Sequence, residues 1–318
     1  MNLQEPKKVF KKFLAVYGYH IVKTGFEDRL DDSLKGDFWR DFFASNSILL
    51  TECYLNNRQV IKSIDHWLEQ SVYEKSLWRY GISERLFSSD IDKSGVHAIP
   101  SGFTYSDLIS LFGKKLNTVN YLEIGVSAGI NFYQMIHSFR NAKIFGMDIE
   151  EMNPLLNNAL LNKKQVWKSK NLYSFKTFNG KEVKIPYYIN EYESKVNNNK
   201  VTYLRGDKFS PLLWENLKGQ KFNIIFSDAF HNPESIQSEF EYIKDYGLYD
   251  PENFIMIWDD LDRVDMQKKF IEISQWFSYQ FTGSSGFKIY DIIGTYGGDN
   301  NGIHKVGVFS NSPLFRNE

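Results

Sequence analysis

Between residues 118 and 309 the chain alternates short, almost wholly apolar segments with amphipathic ones. Residues 118–123 (TVNYLE), 143–148 (KIFGMD), 201–204, 222–228 (FNIIFSD) and 253–259 (NFIMIWD) read as strands. Their continuous apolar runs suit a sheet buried on both faces. Stretches over 107–116, 131–139, 154–167, 211–217, 233–246 and 265–279 carry apolar positions at helical spacing. Strands that alternate with helices build a parallel sheet. The last two strands, 287–293 and 303–309, leave no room for a helix between them, so they join as an antiparallel hairpin. The pattern predicts an α/β domain over 101–318, a doubly wound sheet of seven strands closed by a terminal antiparallel hairpin.

Two segments stand outside this rhythm. Residues 1–100 read as a mostly helical extension, with the best helix over 47–79, where Ile48, Leu55, Ile61, Ile64, Leu68 and Val72 recur at helical spacing. A cap on the domain or an arm for homo-oligomer formation is its expected role. Residues 171–200 are too long for an ordinary loop. Alternation at Val183, Ile185, Tyr187 and Ile189 predicts an inserted hairpin or lid there, with a solvated turn at 197–199.

Composition narrows the classes. Of 318 residues, 42% are hydrophobic, enough to fill a core and to exclude disorder. Thirty-eight basic against 39 acidic residues leave a net charge of −1, which gives no general attraction to nucleic acid. The single cysteine, Cys53, excludes an intrachain disulfide and any cysteine-built metal centre. The apolar runs are of strand length, far below the ~20 residues that span a bilayer. The N-terminal residues carry no signal-peptide pattern. A soluble, cytoplasmic protein is expected.

In an open parallel sheet, ligands bind beyond the carboxyl ends of the strands. Those ends carry Glu123-Ile-Gly125, Asp148, Gly206-Asp207, Asp228 and Asp259-Asp260. The first turn, Glu123-Ile-Gly125-Val-Ser127-Ala-Gly129, lacks the middle glycine that admits a dinucleotide pyrophosphate. An acid at its head suits a ligand with ammonium or sulfonium charge. Asp148 is placed to accept hydrogen bonds from ribose hydroxyls, or else to cap the segment after it. Asp207 lies within reach of an adenine edge, or else caps the helix that follows.

This series of motifs resembles the class I S-adenosylmethionine-dependent methyltransferases, and the resemblance covers residues 100–318. It implies a Rossmann-like fold. It places Glu123, Gly125, Ser127 and Gly129 around the methionine moiety, Asp148 on the ribose and Asp207 near the adenine. Asp228 is counted both at the cofactor and at a second cluster formed with Asp259 and Asp260. Three carboxylates on one crevice repel each other unless a cation joins them, and an all-oxygen set suits Mg²⁺ or a similar divalent ion. Capping of the helix after 260 is the alternative for the acidic pair.

The second cluster is similar to that of metal-dependent O-methyltransferases acting on macrolide sugars and in the cephamycin pathway. There a His three residues beyond the first Asp is the base, and His231 falls on that position; a plain loop before Pro233 is its alternative. The resemblance implies methyl transfer to a hydroxyl of a sugar or vicinal diol, on a small-molecule or glycan substrate. A catechol-type acceptor, or a catalytically silent S-adenosylmethionine-binding protein, are the competing expectations. The sequence departs from the family at Gly247 and 249–253, where a glycine pair is usual, and in the 171–200 insertion. Arg263 and Asp262, Tyr187, Tyr188 and Tyr192, and the glycine-rich turn at 297–302 offer no comparably specific pattern.

Overall fold

The computed structural model describes residues 45–69, 104–127, 129–176, 182–281, 285–293 and 303–312. The expectations for 1–44, for 70–103 and for the turn at 297–302 lie outside the described residues. Strands β1 (Asn120–Ile124), β2 (Lys143–Asp148), β5 (Lys200–Arg205), β6 (Ile224–Ser227) and β7 (Ile255–Trp258) are the five parallel strands of the sheet. They are joined to β3 (Leu160–Lys176), β4 (Glu182–Ser194), β8 (Gly286–Ile293) and β9 (Ile303–Ser310) in the order β3-β4-β5-β2-β1-β6-β7-β9-β8. The terminal hairpin lies as expected, with β9 antiparallel to both β7 and β8. Seven of the nine strands are those of the expected doubly wound, Rossmann-like sheet.

Of the other two, β4 carries the alternation expected of the inserted hairpin, and β3 corrects the sequence reading. A helix was expected over 154–167, and the insertion was expected to begin at 171. Instead a short 3₁₀ turn, Pro154–Ala159, leads directly into β3, which pairs antiparallel with β4 and extends the sheet beyond β5. The four lysines of 162–170 favour a helix by propensity, but this strand is an edge. Lysines on an edge strand solvate it and discourage pairing with another chain. Register shifts along the β3–β4 ladder also break the two-residue periodicity that would reveal a strand.

Helices cover both faces. Alternate residues of each strand feed opposite cores: Tyr121, Ile224, Phe226, Ile255 and Ile257 enter one, and Leu122, Ile124, Ile225, Met256 and Trp258 the other. The first core is closed by α1 (Ser47–Glu69), α2 (Tyr105–Lys115) and α3 (Ile130–Ser138). The second is closed by α4 (Pro211–Glu215), α5 (Pro233–Asp245) and α6 (Val264–Gln280). Local signals set the starts: Thr104 and Asp107 form a capping box for α2, and Asn232 caps α5 ahead of Pro233.

Helix α1 is anchored into the domain. Its Arg58 pairs with Asp107 at 2.9 Å, and Asn57 donates to the other Asp107 oxygen at 2.8 Å. Ser138 of α3 and Ser110 of α2 reach the Asn57 carbonyl oxygen, so three helices share one buried polar knot. Beside it, burial pushes the Cys53 thiol up to about 12, which leaves it an inert core residue. Among the described residues no helix is long and apolar enough to cross a membrane.

Candidate functional site

The order of strands reverses at β1, whose neighbours are β2 on one side and β6 on the other, so a crevice opens above the β1 and β6 ends. Because β2, β1, β6 and β7 are consecutive in the sheet, Asp148, Glu123, Asp228 and the Asp259-Asp260 pair lie along one edge.

The turn after β1 is tight. Gly125 has φ +86°, and a Cβ there would collide with the Asp228 carbonyl, so only glycine lets the β1 and β6 ends approach this closely. Ser127 (φ +48°) and Gly129 (φ +81°) are also left-handed, and Gly129 lies against Leu156. The Ser127 amide donates to Asp148 at 2.6 Å, and the Glu150 amide donates to the other oxygen at 2.8 Å. Asp148 therefore staples the first turn to the end of β2. Burial raises its carboxyl above the usual range, against the pull of these amides.

Glu123 is buried, and one of its oxygens accepts hydrogen bonds from Tyr121 Oη (2.6 Å) and Asn131 Nδ2 (2.8 Å). Burial pushes its carboxyl well above the ordinary range; those two donors oppose the shift, and the Asp228 and Asp148 charges add to it. Such a carboxyl gains from an approaching cation, which restores its ionised form. Asp207 accepts from the Phe209 amide at 3.0 Å, while Ser210 is the residue that begins α4. Its neighbour Tyr173 comes from the inserted hairpin, its ring tilted against that of Tyr187 with centroids 5.5 Å apart. Tyr187 and Tyr192 are buried in their own domain, so they form no open shelf for a sugar ring.

At the β6 and β7 ends the structure gathers Asp228, His231 and Asp260, whose ligand atoms lie within 4.8 Å of one another. His231 Nδ1 meets Asp260, and Nε2 turns to Asp228 at 3.7 Å. Burial by itself lowers the imidazole; the hydrogen bond and charge of Asp260, with the Asp228 and Asp259 charges, bring it above its ordinary value. Asp260 adopts φ +52°, a conformation Asp tolerates better than most residues and one that concentrates at functional sites.

Asp259 is buried at 6% exposure and is not part of this group, which sets two of the three expected carboxylates beside the His231 imidazole. Helix capping does not account for the pair, because Arg263 is the residue that begins α6. Sequence reasoning missed Tyr105, which donates to Asp228 at 3.4 Å from the start of α2, and Asn131, which reaches Glu123. Neither carries a spacing signal, since the fold alone brings residues 105 and 228 together.

No family model matches the chain, and no curated protein matches it in sequence. Solved structures that match include the cofactor-bound Rv0187 protein from MTB, at 10% identity, covering 80% of this chain and 97% of that one, TM-score 0.40. Human methyltransferase-like protein 13 in complex with SAH matches at 14% identity over 66% of this chain and 84% of that one, TM-score 0.37. Spermidine synthase from Thermotoga maritima matches at 11% identity over 65% and 58%, TM-score 0.33. The fold is read from the strand order itself: a Rossmann-like, doubly wound sheet extended by one hairpin.

Proposed function

We propose that this chain is an S-adenosylmethionine-dependent O-methyltransferase that acts on a hydroxyl of a sugar or vicinal diol with help from a divalent cation. One observation carries the reading: a buried acid in a glycine turn and an Asp–His–Asp cluster stand on adjacent strand ends, Glu123 on β1 and Asp228 just beyond β6. The turn suits a sulfonium cofactor, because Glu123 is an acid that burial leaves in need of a positive neighbour. The cluster suits a divalent cation, because two carboxylates and an imidazole converge with too little positive charge of their own.

Each residue then has a part. Glu123 faces the charged end of the methionine moiety, with Ser127 and Gly129 lining the turn. Asp148 holds the ribose, and Asp207 the base edge. Asp228 and Asp260 would hold the cation, and Asp259 adds negative potential from behind. When bound, the cation supplies charge that acidifies a neighbouring hydroxyl. His231 accepts the hydroxyl proton at Nε2, while Asp260 fixes the ring through Nδ1. The acceptor oxygen bonds to the methyl carbon as the carbon–sulfur bond breaks, and the proton stays on His231.

The test is methyl transfer from labelled S-adenosylmethionine to a panel of non-aromatic diols and catechols, with Mg²⁺, with Mn²⁺ and with chelator. Transfer to a diol that chelator abolishes is the expected result. Transfer to catechols alone would replace the acceptor. Cofactor binding that is blind to the cation, with no transfer at all, would mark a silent binding protein.

A further inference from the structure

Behind the rim lies a carboxylate that the proposed chemistry does not use. Glu239 sits on the inner face of α5 at 1% exposure. One of its oxygens accepts from Ser227 Oγ at 2.6 Å and from Trp258 Nε1 at 3.0 Å. The other meets Lys208 in a buried ion pair and Ser235 Oγ at 3.3 Å. Each donor has a telling position. Ser227 is the last residue of β6 and immediately precedes Asp228; Trp258 is the last residue of β7 and precedes Asp259-Asp260. The two are register partners. Lys208 follows Asp207 in the loop after β5.

We propose that Glu239 is a positioning residue: one buried carboxylate that ties the ends of β6 and β7 to the loop after β5 and thereby sets the separation of Asp228 and Asp260. This rests on the reading of the Asp228–His231–Asp260 group as the working rim. Near the rim Asp228 N donates to Ile124 O of β1 and Leu261 N to Lys305 O of β9, bonds that tie each strand end to its outer neighbour rather than to the other. Strands β6 and β7 are each only four residues long, and their backbone ladder ends near the rim, where Asp259 N donates to Ser227 O at 2.9 Å. Beyond that bond the chains diverge, His231 and Asp260 being carried on separate loops. A shared side-chain acceptor at the last ladder position holds both strands at one spacing. The pairing is specific, because Ser227 and Trp258 can bond the same oxygen only while their strands stay in register. Outer groups of this kind, which orient the residues that do the work, typically change metal affinity 10–100-fold when removed.

The experiment compares the wild-type chain with Glu239→Gln, with Glu239→Gln combined with Lys208→Met, which removes the orphaned cation, and with the milder Ser227→Ala and Trp258→Phe. Calorimetry reads the dissociation constants of Mn²⁺ and of S-adenosylmethionine separately. Hydrogen exchange reads the Asp228 and Asp259 amides against those of β2 in the same sheet. Glu239→Gln, or the double variant if the single one does not fold, is expected to weaken Mn²⁺ binding about 10-fold or more while cofactor affinity changes less than about 3-fold. Ser227→Ala and Trp258→Phe should do the same to a smaller extent, and they decide the matter if neither Glu239 variant folds. A folded variant with unchanged Mn²⁺ affinity would overturn the proposal, as would equal losses for Mn²⁺ and cofactor, which mark a general structural role. If the wild-type chain binds no Mn²⁺, the cation part of the proposed function fails by itself. Exchange then decides for Glu239: selective acceleration at Asp228 and Asp259 supports the clamp, and uniform rates across the sheet refute it.

Discussion

Two charged clusters flank β1, and they are built on opposite plans. At the α1–α2–α3 junction, Arg58 and Asp107 balance one positive against one negative charge. Asp107 takes bonds from Arg58, Asn57 and the Thr104 amide, and both partners are buried. At the rim, Asp228 and Asp260 face a single imidazole, all three about one-third exposed, with Asp259 adding further negative potential. The first cluster is closed: its charge is matched and its geometry serves the packing of helices. The second is open, and its excess of negative charge is one that a cation from outside would relieve. Charge balance and exposure, more than the number of charged residues, separate a structural knot from a binding rim.

The sharpest way to break this contrast is at His231. His231→Ala should lower turnover about 100- to 10,000-fold with cofactor affinity and melting temperature unchanged; unchanged turnover would remove it as the base. The closed cluster should answer in the opposite currency. Arg58→Met strands a buried carboxylate and should cost about 3–5 kcal/mol of unfolding free energy in a urea titration, while the folded fraction binds cofactor normally. A loss below ~1 kcal/mol would show that α1 is not anchored by this pair.

Asp260→Ala comes next, with Mn²⁺ affinity reduced about 100-fold or more and cofactor affinity nearly intact. A cation that binds the variant as tightly as the wild type would place its site elsewhere. The smallest effect concerns Glu123. Its folded carboxyl is raised, so the folded protein holds a proton that the unfolded chain releases above ~4.3. That contribution destabilises the cofactor-free protein as pH rises above the unfolded value. Glu123→Gln should therefore raise the melting temperature at pH 7 by a few degrees (about 2–4 °C per kcal/mol), with the gain fading toward pH 4, while cofactor binding weakens. A gain over wild type no larger at pH 7 than at pH 4 would contradict the burial argument.

The parallel strands and terminal hairpin were legible because the strands are short, mainly apolar runs with an acid at or just beyond the end, and because 287–309 leaves no space for a crossover helix. The β3–β4 ribbon was not, since its lysines speak for helix by propensity while serving as edge protection. The gathering of Glu123, Asp148, Asp228 and Asp260 along one edge of the sheet was readable from their places at strand ends. The exclusion of Asp259 was not: neighbouring residues on an extended chain point opposite ways, and only the left-handed turn at Asp260 decides which carboxylate faces the rim. Glu239 was invisible for a different reason. On an amphipathic helix that carries four acids, one of them reads as solvated like the rest, and its burial depends on Ser227, Trp258 and Lys208, which come from three distant segments.

In the proposed reaction the glycine turn and the Asp–His–Asp rim serve one space. The direct measurement is the relaxation of the sulfonium methyl protons of bound S-adenosylmethionine on titration with Mn²⁺. Strong broadening that disappears in Asp228→Ala and Asp260→Ala is the predicted result. Broadening no greater than free Mn²⁺ produces, or equal in wild type and both variants, would show that cation and cofactor do not meet at this site.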